Sequence, residues 1–238
     1  MNTQSKRLFV RGLKDGIPIA LGYLPVSFGF GISAVSSGLS PLVAVLISLT
    51  NLTSAGQVAG VEVILALGTL LEMTLTQLTI NARYFLMSLS LSQRLGRGFS
   101  LPHRLLVSFG ITDEIFGVAS SKREPVTPVY MYGLIFLPFI GWLLGTLLGA
   151  ISGNVLPEEI NKALGIAIYG MFIAIVLPPA KREKGVLLSV LISIAISLAL
   201  AFIPLFSFIT SGFAIIASAL IAAVIAALLF PIKPEEEE

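Results

Sequence analysis

Cysteine is absent from all 238 residues, which excludes disulfides, thiolate nucleophiles and thiolate metal sites. Histidine occurs once, as His103 in the polar patch R-L-G-R-G-F-S-L-P-H-R, and one histidine cannot build a zinc site of the usual kind. A serine triad would have to recruit that residue from its basic loop, and no G-x-S-x-G elbow is present. No Walker motif or glycine-rich nucleotide loop precedes a helix, so the chain is not its own ATPase. These absences point away from an enzyme and from any cofactor or metal. Charge is scarce too, at 12% of residues, where a soluble domain carries about 25%.

What is present instead is apolar: 55% of residues are hydrophobic and the mean hydropathy is +0.96. Long uncharged runs place the chain among all-α polytopic integral membrane proteins, with the lipid bilayer as its medium. At about 20 residues per crossing there is room for roughly six to eight spans, expected as one integrated bundle. The net charge of +2 does not imply nucleic acid, because the basic residues serve as topology signals. The basic start M-N-T-Q-S-K-R-L-F-V-R-G-L-K-D is not followed by a small-residue cleavage site, so the first apolar run reads as a retained helix.

That run covers 16–37 and carries Pro18 and Pro25, each of which removes a helical hydrogen bond. Such breakers are tolerated in membrane helices where neighbours satisfy the freed carbonyls, so this helix is expected to face protein. The segment 41–68 has a polar, small centre from Asn51 to Gly60. Residues 70–91 form a full crossing with Asn81 and Arg83 inside it. Further crossings are expected at 126–149, 163–177, 186–203 and 212–230, followed by the soluble tail P-I-K-P-E-E-E-E. V-L-I-S at 45–48 recurs at 190–193, a weak internal repeat of the kind frequent in transporters.

The basic clusters at 6–14, 94–104, 122–123 and 181–184, with Lys233, restrict the topology. If every apolar segment crossed, the 94–104 loop would lie opposite the basic N-terminus. If 41–68 enters and leaves on one side and 105–121 does the same from the other, every basic cluster falls in the cytoplasm and Glu158 and Glu159 fall outside. The expectation is therefore about six crossings, two broken or re-entrant segments, and both termini in the cytoplasm. The break in 41–68 is expected near Ser54-Ala55-Gly56-Gln57. Residues 1–15 read as a cytoplasmic N-terminus, 16–231 as one integral-membrane transporter domain and 232–238 as a cytoplasmic tail.

Charges inside lipid cost several kcal/mol and need a partner, a water-filled cavity or protonation. The intramembrane candidates are Glu62, Glu72, Arg83, Asp113 and Glu114. Arg83 cannot shed its charge, so it calls for a carboxylate. Its pairing with Asp113 or Glu114 reads either as a structural ion pair or as a substrate or proton site near the midplane; the third reading has Arg83 snorkelling to the interface. Thr112 and Asp113 are good N-cap residues and could start a half-helix at mid-depth. Asn81 lies two residues from Arg83, so the two do not share a helical face. In N-L-T-S-A-G-Q, Gly56 permits a break while Ser54 and Gln57 offer donors and acceptors; tight packing by small residues is the competing reading. Glu62 and Glu72 read as acids at helix ends; Tyr23, Phe28 and Phe30 could line a pathway but read as core packing by default, and Trp142 reads as structural.

These motifs resemble the AzlC-type branched-chain amino acid permease family, linked to azaleucine resistance. The matching stretches are G-L-K-D-G-I-P-I-A-L-G-Y-L-P-V-S-F-G-F-G at 12–31, G-L-S-P-L at 38–42, S-A-G-Q at 54–57, T-I-N-A-R-Y-F-L-M-S-L-S-L at 79–91 and I-T-D-E-I-F at 111–116. They cover roughly the first half of the chain. Val58 departs from the phenylalanine that usually follows S-x-Q in the family. The resemblance implies export of leucine, valine and isoleucine across the cytoplasmic membrane, and a small hydrophobic partner subunit of the AzlD type. Its polar motifs fall on Asn81, Arg83, Thr112, Asp113 and Glu114. The competing functional readings are a passive channel for a small solute and a non-transporting membrane scaffold.

Overall fold

The computed structural model describes residues 3–96, 98–122, 124–153, 159, 170, 173, 176–206 and 208–231. The chain is an all-α polytopic membrane protein; among the described residues no strand forms, and Leu95 and Val126 make an isolated bridge. The helices are α1 (Thr3–Ser36), α2 (Pro41–Thr50), α3 (Ala55–Leu65), α4 (Leu70–Ser92), α5 (Leu101–Phe109), α6 (Asp113–Ser120), α7 (Pro128–Ser152), α8 (Lys184–Phe202) and α9 (Ser211–Leu229). Of these, α1, α7, α8 and α9 are long and apolar enough to cross a membrane. The 23-residue α4 has the length but carries Glu72 and Arg83. The crossing expected at 163–177 falls almost wholly outside the described residues.

The contacts divide the chain into two compact units, one of residues 1–58 and 81–168, the other of residues 59–80 and 169–238. The first is organised by α1 and α7, which run parallel. Gly16 meets the backbone of Leu134, Gly141 that of Ala20, Gly145 that of Leu24 and Gly149 that of Phe28, so partner numbers rise together along both helices. G-W-L-L-G-T-L-L-G sets Gly141, Gly145 and Gly149 four residues apart on one stripe of α7. Without a Cβ there, the two backbones touch, the small-residue contact that replaces the hydrophobic effect in lipid. α1 stays helical through Pro18 and Pro25.

The second feature of this unit is a re-entrant segment. α5 climbs along α7: His103 Nδ1 lies 2.5 Å from the Tyr132 hydroxyl and Phe109 packs edge-on against Phe139. The chain turns at Gly110, pressed against Ile135, and α6 returns. At its foot Arg94 Nη1 donates to the Ser120 carbonyl at 2.8 Å, and Lys122 pairs with Asp15 at 2.7 Å. Entry and exit thus lie at one end, the end holding Lys6, Arg7, Arg11, Lys14, Arg94, Arg104 and Lys122. The expected cause holds: helices of nine and eight residues reach about 12–14 Å, half of a ~30 Å hydrocarbon core.

The segment 41–68 is broken as well, at residues 51–54, a gap that ends on the expected Ser54. The helix stops at Thr50 and restarts at Ala55. Gly56 is therefore helical. In the gap, Ser54 takes the left-handed conformation at φ 51°.

In the second unit, the end of α3 folds against the start of α4. Gly60 lies beside Gln77 and Met73, and Gly68 beside Val63 and Glu72. α8 and α9 form a hairpin, with Gly185 packed on Phe230. α8 buries none of its residues and presents Leu187, Leu191, Ile194 and Leu198 outward, as a lipid-facing helix does.

Candidate functional site

The tip of the re-entrant segment is built by local hydrogen bonding. Thr112 has extended backbone; its Oγ1 accepts from the Ile115 amide at 3.4 Å and its carbonyl from the Phe116 amide at 2.8 Å. This N-cap starts α6 at Asp113, so both acids sit in the first turn, where the helix dipole favours negative charge.

Adjacent on a helix, the two acids diverge and take different partners. Asp113 Oδ2 lies 2.5 Å from Arg83 Nη1. Arg83 Nη2 donates to the Tyr84 hydroxyl at 3.2 Å, with the guanidinium 5.0 Å from that ring's centroid. On the other side the Tyr23 hydroxyl lies 2.5 Å from both Glu114 Oε2 and Thr112 Oγ1. One phenolic proton cannot serve two acceptors. Donated to the carboxylate, it leaves the Thr112 hydroxyl to donate to the phenol oxygen. Trp142 meets Tyr23 edge-on at 5.2 Å and holds the ring in place.

The site has a closed half and an open half. Tyr23 and Thr112 are buried, whereas the side chains of Arg83 and Asp113 remain 42% and 44% exposed. Arg83 stands nine residues before Ser92, the end of α4, or about 14 Å along the axis. That length is about half of a ~30 Å hydrocarbon core. The cluster holds two acids and one guanidinium, so it carries an excess negative charge when both acids are ionised. It suits a proton or an ammonium group better than an anion alone.

A second polar cluster lies at the break between α2 and α3. Ser48 Oγ and Thr146 Oγ1 are 2.7 Å apart, and Gln57 Nε2 donates to Ser48 Oγ at 3.0 Å. All three side chains are fully buried. Gln57 Oε1 and Ser54 Oγ have no hydrogen-bond partner among the described residues. Thr146 follows Gly145, which abuts Ser27, one turn of α1 beyond Tyr23. The two tips therefore approach one another along the α1–α7 pair within about one helical turn.

Of the residues selected from sequence, Arg83, Thr112, Asp113 and Glu114 converge in one cluster. Ser54, Gly56 and Gln57 lie at the other tip. Asn81, half-buried on α4, stands on a different face from Arg83. Sequence reasoning passed over Tyr84, Ser48 and Thr146, and took Tyr23 for a packing residue by default. Tyr23 carried a usable signal, since a phenol inside an uncharged helix must find a partner for its hydroxyl. Tyr23→Phe keeps the ring and removes both bonds. It is expected to cost about 2 kcal/mol, the worth of a hydrogen bond to a charged group. A lowered thermal midpoint of the purified protein would report this; an unchanged midpoint would mean that Glu114 is held by other contacts.

The sequence profile of the family described as AzlC protein matches residues 18–156, from α1 to just beyond α7. Inner membrane protein YgaZ of Escherichia coli (strain K12) is 30% identical over 188 residues, which is 76% of this chain and 77% of that protein. An uncharacterized membrane protein of Archaeoglobus fulgidus is 32% identical over 184 residues, 76% of this chain and 80% of its own length. Branched-chain amino acid transport protein AzlC of Bacillus subtilis (strain 168) is 26% identical over 171 residues, 71% of this chain and 66% of that protein. No solved structure gives a significant match.

Proposed function

The chain belongs to the AzlC family, and from that premise we propose that it exports branched-chain amino acids across the cytoplasmic membrane, driven by an ion gradient. The observation that carries this reading is the cluster of Arg83, Asp113, Glu114 and Tyr23 on a re-entrant tip at mid-depth. A zwitterionic substrate needs a cation for its carboxylate and an anion for its ammonium group. Arg83 serves the first. Asp113 or Glu114 serves the second, or takes a coupling proton. Desolvated carboxyls are suited to proton coupling because burial favours their neutral form. The aliphatic side chain rests among Leu, Ile, Phe and small residues. Support for the substrate class comes from the Bacillus subtilis relative, named as a branched-chain amino acid transport protein. The basic end faces the cytoplasm in this reading, with both termini, and residues 16–231 act as one transporter domain. A small hydrophobic subunit of the AzlD type is its partner.

Proteoliposomes loaded with labelled leucine, valine and isoleucine, with and without the small subunit, test the proposal. Efflux that follows an imposed proton gradient and is greatest with the subunit present is the expected result. Efflux indifferent to the gradient would replace the coupled exporter by a passive facilitator. No efflux of any of the three would remove the substrate assignment.

A further inference from the structure

The basic end of the first unit holds two cavities that the site above does not use. One, of about 550 Å³, lies between the start of α1 and the link from α6 to α7. Gln4, Leu8 and Arg11 line it from one stripe of α1, and Lys122 and Tyr130 line it from the other side. The second, of about 530 Å³, follows the adjoining stripe of α1 and takes in Lys6, Arg7 and Lys14. Arg11 lines both. Against these five cations stand two acids, Asp15 beside Lys122 and Glu124 at the first cavity.

The two cations of the first cavity are set up differently. Lys122 is held in place: its Nζ lies 2.7 Å from Asp15 Oδ2 and 5.5 Å from the centroid of the Tyr130 ring. The Tyr130 hydroxyl donates to the same carboxylate oxygen at 2.8 Å. An ammonium group carries three protons, so one bond to Asp15 leaves others for a second oxygen. Arg11 is exposed and forms no ion pair among the described residues. Its guanidinium fork suits the paired oxygens of a phosphate.

Position and charge indicate which phosphate. The uncharged run of α1 begins at Gly16, five residues after Arg11, or about 7–8 Å along the axis. A bilayer of about 40–45 Å with a ~30 Å hydrocarbon core has headgroup layers of comparable depth, about 5–7 Å each. Basic pockets beside membrane helices at that level hold anionic headgroups. The exposed carboxylate of Glu124 opposes a doubly charged free phosphate more than a singly charged phosphodiester. Leu8 and Pro125 add an apolar wall that a lipid can use and a free anion cannot.

We propose that the cavity between Arg11 and Lys122 binds the phosphodiester headgroup of an anionic phospholipid. Arg11 grips the phosphate oxygens, Lys122 donates to one of them, and Lys6, Arg7 and Lys14 along the neighbouring stripe draw anionic lipid to the site.

Native mass spectrometry of the full-length protein, released from detergent holding equal amounts of phosphatidylglycerol and phosphatidylcholine, tests this. The readout needs no solute, so it stands apart from the transport reading. The wild type is expected to retain phosphatidylglycerol in preference to phosphatidylcholine. Arg11→Gln, an exchange at an exposed helical position, is expected to retain about fivefold less of it, the effect of one basic residue beside an anionic lipid. Arg104→Gln is the control, because it removes an exposed charge from the same end without touching either cavity; it is expected to match the wild type. Equal retention of the two lipids by the wild type would overturn the proposal. So would full retention by Arg11→Gln, or an equal fall in Arg104→Gln, which would mark diffuse surface charge. Loss of the bound lipid on addition of millimolar inorganic phosphate would overturn the lipid as occupant in favour of a soluble anion.

Discussion

Arg83→Gln is expected to lower the efflux of labelled valine or leucine by about two orders of magnitude while the protein still reaches the membrane. Losing a charge-assisted hydrogen bond to the substrate costs up to about 3 kcal/mol. About 3 kcal/mol corresponds to roughly a hundredfold. The substitution leaves Asp113 without its cationic partner at the tip and, in the proposed mechanism, takes away the group that receives the substrate carboxylate. Asp113→Asn should be similarly impaired. The double variant separates structure from function. With both charges of the pair gone, neither partner is left without the other, so abundance and thermal midpoint should recover. If the pair served only to fix α4 against α6, flux per molecule would recover with them. The transport reading predicts that it does not.

The second large effect belongs to the α1–α7 contact. A Cβ on Gly149 would overlap the Phe28 carbonyl, and one on Gly145 would overlap the Leu24 carbonyl and Ser27 Oγ. The obstacles are backbone atoms on a helix that cannot step aside without separating from α7. Gly149→Val is expected to cost about 3 kcal/mol or more, the upper range for overpacking, and to lower both the thermal midpoint and the amount of protein in the membrane. Gly22→Ala is the control, since nothing lies within 4 Å of its would-be Cβ, and an alanine inside a helix is favoured over glycine. A Gly149→Val protein as stable as Gly22→Ala would mean that the two helices are not in backbone contact.

Much of this architecture was legible because lipid restricts the choices. The 105–121 stretch is too short and too acidic to cross, and placing Arg94 and Lys122 on one side required it to turn back; the structure shows both at its foot. Thr112 as an N-cap followed from residue chemistry alone. The break in 41–68 was legible near Ser54, where it falls, although Gly56, which looked able to break the helix, is helical. The repeat of glycine every fourth residue from Gly141 to Gly149 spelled a close helix contact without naming the partner. Partners were the general difficulty. Tyr23 meets Glu114 across 91 residues and Glu72 meets Gly212 across 140, and no local pattern encodes either pairing. Glu72 looked like an acid serving its own helix dipole; its burial comes from a helix near the far end of the chain.

The central claim is that branched-chain substrates pass the Arg83–Asp113 tip. With no native cysteine to interfere, Gly117→Cys places a single thiol one turn from Asp113 on the same face of α6, at an exposed position with nothing within 4 Å. The account predicts that a water-soluble thiol reagent modifies this residue and that leucine, isoleucine and valine slow the reaction, whereas lysine and aspartate do not. A rate of modification unaffected by the branched-chain amino acids, or a thiol that water-soluble reagents never reach, would contradict it.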